Sequence, residues 1–195
     1  MSMTILAFDT SAAHCAAALL SGETVLASRA ESMTRGQAER LFPLCEELLA
    51  EAGLRWSDLD RIGVGTGPGN FTGIRIAVSA ARGLALGLGV PAIGVSTFDA
   101  IFAGGMDAGD RGIMAAVPAP RGLLHVQDAP GAEIRTVEAA DAPGAAFPPE
   151  PEALAIRIAR IAASRAPGAA PAPVYVRPAD AALARDAPPI ILDEP

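Results

Sequence analysis

Apolar positions along the first hundred residues change period several times, and each change marks an element. Thr4 to Asp9 (T-I-L-A-F-D) is a short apolar run ending on Asp-Thr-Ser, and His14 to Leu20 is a second run, almost wholly apolar. Ser21-Gly22 is a two-residue turn signal, after which Glu23 to Ala30 returns with Val25 and Ala27 between polar neighbours. This predicts a three-stranded antiparallel meander. From Thr34 the period becomes helical, with Leu41, Leu44, Cys45, Leu48 and Leu49 on one stripe. Thr34 and Gln37 read as a capping box, Pro43 as a kink and Gly53 as the stop. Ile62 to Val64 then suits a buried strand, a helix is predicted from about Thr72 to Leu88, and Ala92 to Val95 suits another strand. Strand, glycine loop, helix and strand make a βαβ crossover of a parallel sheet.

The second half is less regular. Ser96 caps a predicted short helix, Thr97 to Ala103, and Gly104, Gly105 and Gly109 mark a loop closing a first lobe of residues 1–103. Ile113 to Val117, Leu123 to Gln127 and Ile134 to Val137 read as strands of a second lobe, residues 104–180, and 139–151 as loop. Glu152 to Arg165 is an amphipathic helix with Leu154, Ile158 and Ile161 on one face, and Val174 to Val176 reads as a last strand. The acidic, proline-rich end, residues 181–195, is expected to be disordered.

The helix expected at 72–88 is light. Arg75, Ser79, Gly83 and Gly87 recur every fourth residue, so three of the four positions on that stripe are small. Two glycines inside a helix cost about 1 kcal/mol each relative to alanine. Close approach of another backbone would offset this, either from the chain's own sheet or from a partner subunit.

Composition narrows the chemistry. The chain has 195 residues, about half of them apolar, enough for a real core. It holds no run of 18 consecutive apolar residues and no basic segment ahead of the first strand, from which a cytoplasmic protein without a membrane span is expected. A net charge of −7 argues against a chain that grips nucleic acid alone. Cys15 and Cys45 fall in apolar elements and read as buried thiols rather than a disulfide.

The loop at 65–73 (G-T-G-P-G-N-F-T-G) invites a phosphate-binding reading. A Walker loop needs a lysine for the terminal phosphates, and all 15 basic residues here are arginine. The dinucleotide fingerprint fails at Asn70, where its third glycine belongs, and no G-x-S-x-G elbow occurs. What remains is a glycine loop feeding a helix N-terminus, a candidate anion site built from Gly67, Gly69 and Thr72. Asp9, Thr10 and Ser11 could serve such a site, in the way that actin-like and sugar-kinase ATPases use an aspartate at a strand end, or could simply cap the turn. No metal site is expected: His14 and His125 are far apart in sequence, and no H-E-x-x-H occurs.

Taken together, I-L-A-F-D-T-S at 5–11, G-T-G-P-G-N-F-T-G-I-R-I at 65–76, G-L-A-L-G at 83–87, I-G-V-S-T at 93–97 and P-V-Y-V-R-P at 173–178 resemble the TsaB (YeaZ) family. The match is specific over residues 3–102 and thin beyond. The resemblance implies an α/β, actin-like ATPase-domain (ribonuclease-H-like) fold with a mixed sheet and two lobes. It implies a non-catalytic subunit of the bacterial machinery that forms N6-threonylcarbamoyladenosine on tRNA, with no catalytic residue of its own. The implied partners are the catalytic subunit TsaD and the ATPase TsaE, with a homodimer when TsaD is absent and tRNA contacted only through the complex. No cofactor is expected on this chain alone, ATP or ADP being expected, if at all, where subunits meet. In relatives the two first-lobe helices form the partner face, here residues 35–52 and 72–88, carrying Leu41, Phe42, Cys45, Arg75, Ser79, Gly83 and Gly87.

Three departures qualify the resemblance. The second lobe is short by a few tens of residues, and the family's I-D-A-R-x-G-E-V-Y reads V-P-A-P-R-G-L-L-H, with Pro118 in place of the acidic residue. The histidine that often opens the first helix is replaced by Gly36-Gln37. An ATPase or phosphotransferase of the same fold is the alternative. It would need carboxylates in both lobes, and Asp9 is the only one well placed.

Overall fold

The structure is a computed structural model that describes residues 2–107, 109 and 112–176. The tail expected at 181–195 lies outside the described residues.

Among the described residues, eight strands and four α-helices follow in the order β1 (Thr4–Asp9), β2 (His14–Ser21), β3 (Thr24–Ser32), α1 (Gln37–Glu51), β4 (Arg61–Gly65), α2 (Phe71–Leu88), β5 (Ala92–Val95), α3 (Thr97–Asp107), β6 (Ala115–Pro118), β7 (Leu123–Gln127), β8 (Arg135–Glu138) and α4 (Pro151–Ser164). The first five strands form one mixed sheet in the order β3-β2-β1-β4-β5. β1 pairs antiparallel with β2 and parallel with β4, and β4 pairs parallel with β5. The last three strands form an antiparallel sheet, β6-β7-β8.

Period-two alternation places the two sides of β1 in different cores. Leu6 and Phe8, with Cys15, Ala17, Leu19, Ile62 and Val64, meet the inner stripes of α1 and α2. Ile5 and Ala7, with Ala16, Ala18, Leu20 and Val95, meet α4. Burial on both faces explains why β1 and β2 read as nearly continuous apolar runs. In the smaller sheet Ala115 and Val117 pack on Phe98, Ile101 and Phe102 of α3.

Several expectations need correction. α1 starts at Gln37 with Gly36 in the left-handed region as its N-cap, so Thr34 forms no capping box; the Gln37 amide donates to the Met33 carbonyl instead. Gly104 and Gly105 are not loop, because α3 runs through them to Asp107. Residues 174–176 form no strand; the Val174 N–H donates one bond to the Thr66 carbonyl, at 2.8 Å.

The predicted second-lobe helix, α4, packs on β1, β2 and β4 of the large sheet. A division at 103/104 therefore does not separate the packing. Two residues of β4 receive α4: Gly63 leaves room for Ile158 and Ala162, and the buried Arg61 donates to the carbonyls of Ala162, Ala163 and Arg165 at the helix C-terminus. A guanidinium there meets the negative end of the helix dipole.

By length and a mean hydropathy of 1.3, α2 could cross a membrane, although it contains no unbroken apolar run of that length. Its place in the fold accounts for the inner part of that hydropathy, since 28% of the helix is buried within the chain. It is the crossover between parallel β4 and β5, and Ile74, Ala77, Val78 and Ala81 are buried against the sheet.

Candidate functional site

Two regions carry the residues singled out in the sequence. One is the junction of the Asp-Thr-Ser turn with the glycine loop; the other is the outer face of α1 and α2.

At the junction, Asp9, Thr10 and Ser11 are buried at the C-terminal end of β1. Asp9 Oδ2 accepts from the Ser11 N–H at 2.8 Å and the Ser11 hydroxyl at 2.7 Å, and lies 3.3 Å from His14 Nε2. Asp9 Oδ1 is buried with no hydrogen-bond partner among the described residues. Ser11 bonds the carboxylate directly, so the order of a nucleophilic triad, in which the histidine stands between serine and carboxylate, is not built. The arrangement is an Asx turn with a histidine on the same oxygen.

The turn is fastened to the glycine loop. The Thr10 hydroxyl donates to the Gly73 carbonyl at 2.6 Å, and the Asn70 N–H donates to the Ser11 carbonyl at 2.6 Å. A Cβ on Gly65 would strike Asp9 Oδ1, one on Gly69 the Ser11 carbonyl, and one on Gly73 the Thr10 carbonyl. Gly69 and Gly73 let two backbones touch, and Gly65 leaves room for the Asp9 carboxylate. Gly67, at φ +84°, precedes a cis Pro68, and its carbonyl accepts from the Thr97 N–H.

At this helix start two backbone donors are already taken, the Asn70 N–H by the Ser11 carbonyl and the Gly73 N–H by the Asn70 side chain. Asn70 is the N-cap, its side-chain oxygen accepting from the Gly73 N–H at 2.8 Å, and Thr72 faces outward in the first turn. Asn70 as N-cap was legible, since an asparagine immediately precedes the apolar-periodic run.

Above the turn a cleft of about 510 Å³ separates the two sheets, lined by Ser11, His14, Asn70 and Thr97 on one side and by His125 and a proline-rich wall with Phe147 on the other. Both histidines, distant in sequence, therefore face one cleft. His125 Nδ1 lies 3.0 Å from the Thr136 hydroxyl. No group of three metal-ligating side chains converges among the described residues.

The helix faces sort the remaining residues. Leu41 and Cys45, expected on the partner face, are instead buried in the core at 1 % exposure each, because they lie on the α1 stripe that meets the sheet. Burial pushes the Cys45 thiol well above its ordinary value and the Cys15 thiol up to about 11, so both are held neutral. Phe42 points outward at 42 % exposure and tilts against Trp56. Arg75, Ser79, Gly83 and Gly87 all lie on the exposed face of α2. A Cβ on Gly83 or Gly87 would meet nothing within 4 Å among the described residues, so these glycines serve no packing there. Leu86, beside them, is 87 % exposed.

Sequence reasoning missed Phe71 and gave Tyr175 no role. The two rings lie 5.1 Å apart; the Arg75 guanidinium sits 4.0 Å over Phe71, and Arg75 Nε donates to the Tyr175 hydroxyl at 2.8 Å. Only the chain's return from residue 171 to 175 across the ends of β4 and β5 unites residues a hundred positions apart.

A family model described as TsaD, tRNA N6-adenosine threonylcarbamoyltransferase, matches residues 24–150. YeaZ from Pseudomonas aeruginosa is 34% identical in sequence and superposes with a TM-score of 0.57 over 76% of this chain and 68% of that one. The chain belongs to the TsaB (YeaZ) family. Its fold is accordingly the actin-like, ribonuclease-H-like α/β fold expected of that family. A further structure, of an uncharacterized protein with similarity to peptidase YeaZ from Pseudomonas aeruginosa, superposes with a TM-score of 0.67 over 90% of this chain and 100% of that one, at 27% identity. The tRNA threonylcarbamoyladenosine biosynthesis protein TsaB of Escherichia coli (strain K12) is 38% identical over 124 residues, 63% of this chain and 53% of that protein. This chain thus matches about half the length of its curated relatives.

Proposed function

We propose that this chain takes part in forming N6-threonylcarbamoyladenosine on tRNA as a non-catalytic subunit, presenting the outer face of α2, with Phe42 of α1 beside it, to the catalytic subunit TsaD. The observation that carries the reading is the character of that face. Gly83 and Gly87 are open to solvent, and Leu86 is almost fully exposed on an apolar helix. Small residues at spacing four let another helix approach closely, and an exposed apolar patch on a folded chain marks a contact surface. The name of the Escherichia coli relative supports the pathway. TsaE would join the pair, a second copy of the chain would take the same face when TsaD is absent, and tRNA would be met through the complex. Nucleotide, where it binds, would sit at a subunit junction.

Calorimetry of Leu86→Glu and Gly83→Leu against TsaD tests this. Both variants are expected to fold, since neither position is packed within the chain, and to bind at least about tenfold more weakly. Unchanged affinity in folded variants would overturn the reading. Reconstituted tRNA modification with and without this chain reads the pathway itself.

A second reading rests on the cleft above Asp9, whose free carboxylate oxygen lies under the turn. A phosphotransferase or ATPase would act there. Sustained ATP hydrolysis by the isolated chain, lost in Asp9→Asn, would favour it over a scaffold.

A further inference from the structure

The outer face of α2 is not uniform. At its N-terminal half lies a notch of about 440 Å³ lined by Arg75, Val78, Ser79, Arg82, Pro173 and Tyr175. Two arginines line it and, among the described residues, no acidic side chain does. Neither makes an ion pair among the described residues, in contrast to Arg29, held by Glu47 and Glu51 of α1, and Arg40, held by Glu31 of β3 and Glu47 of α1. The chain as a whole carries −7, so this is a local excess of positive charge against the overall balance.

Arg75 is also held in place. Its plane rests on Phe71 and its Nε is spent on the Tyr175 hydroxyl, while its two terminal nitrogens form no hydrogen bond to any described residue. Tyr175 is held in turn by the return of its own segment, through the Val174 N–H on the Thr66 carbonyl and Pro171 against Gly94. A guanidinium whose rotamer is fixed and whose terminal fork is free is preorganised for a planar anion. The entropy of ordering a long side chain is already spent, and the fork matches two carboxylate oxygens.

We propose that this notch binds a carboxylate side chain of the docking partner, with Arg75 as the two-pronged donor, Arg82 and Ser79 as the flanking donors, and Tyr175 as the residue that positions Arg75. The inference rests on the reading of α2 as the TsaD-binding face. It adds a charged anchor to that apolar contact, and makes residues 171–175 part of the interface together with the two helices. A carboxylate is favoured over a nucleic-acid phosphate because the notch continues into the apolar stripe of Gly83, Leu86 and Gly87, which suits a protein helix, and because the chain is acidic overall.

Calorimetry with the full chain and purified TsaD, at low and moderate salt, tests it. Arg75→Gln is expected to raise Kd about tenfold or more and to flatten the salt dependence, with an unchanged melting temperature. Arg75→Lys keeps the charge without the planar fork and is expected to recover little of the loss; Tyr175→Phe is expected to weaken binding several-fold. If Leu86→Glu abolishes binding while Arg75→Gln leaves Kd unchanged, the notch proposal fails and the docking face stands. If neither variant changes Kd, the docking face fails and the notch with it. Weaker tRNA retention by the complex in Arg75→Gln, at unchanged TsaD affinity, would identify the ligand as phosphate and overturn the proposal. The chain's own tail is the remaining occupant. If neutralising Asp180, Asp186, Asp193 and Glu194 to their amides lowers the melting temperature as much as Arg75→Gln, without an additive effect, the notch holds the chain's own carboxylate and the proposal is overturned.

Discussion

The two ends of α2 carry the same residue for opposite reasons. At the N-terminal end Gly69 and Gly73 lie under the Asp-Thr-Ser turn, where an added Cβ would meet the carbonyl of Ser11 or Thr10. At the C-terminal end Gly83 and Gly87 face open space. The first pair closes the fold by letting two backbones touch. The second pair does nothing for the isolated chain and lowers its helix propensity. A glycine that lowers helix stability and packs against nothing among the described residues points to a requirement outside them.

That contrast can be broken at several points. The largest effect is expected at Gly73→Val, which drives a branched side chain into the Thr10 carbonyl; a loss of about 3 kcal/mol or more, or no folded protein, is expected in chemical denaturation. A folded, near-native Gly73→Val would remove the distinction between the two ends. Next is Arg61→Met, which leaves the last carbonyls of α4 without their donor. A loss of about 2 kcal/mol is expected, although the Arg61 Nε has no partner among the described residues and its removal returns part of the desolvation cost. Gly83→Ala should move the other way, adding about 0.5–1 kcal/mol to the isolated chain while weakening the proposed TsaD contact less than Gly83→Leu. A destabilised Gly83→Ala would mean that the C-terminal glycines serve internal packing after all.

The smallest effect is electrostatic and sharpens the comparison on α1. The bidentate hydrogen bond from Arg40 holds the Glu31 carboxyl below its ordinary 4.5, and Arg40 does the same to Glu47. Because both carboxyls are depressed in the folded chain, their contribution is present above the ordinary glutamate range and fades as pH falls through the lowered values. Melting temperature should therefore drop less steeply below about pH 5 in Arg40→Gln than in the parent chain. The difference should be small, since these side chains are partly exposed.

Much of this molecule follows from local pattern. The alternation in 4–9 and 14–20, the helical stripe of 41–49 and the crossover from 62 to 95 depend on period and on glycine position, which are properties of neighbouring residues, and they were legible without coordinates. Leu41 and Cys45 were misplaced onto an outer face for the same reason. A stripe shows that a helix has an apolar side, but the sheet decides that this side is consumed within the chain. What only tertiary structure decided are the contacts that close long loops: α4 returning to β4 through Arg61, the two histidines facing one cleft, and Tyr175 meeting Arg75. Each joins residues about a hundred positions apart, and each is selected by how whole elements pack against one another, which carries no period along the chain.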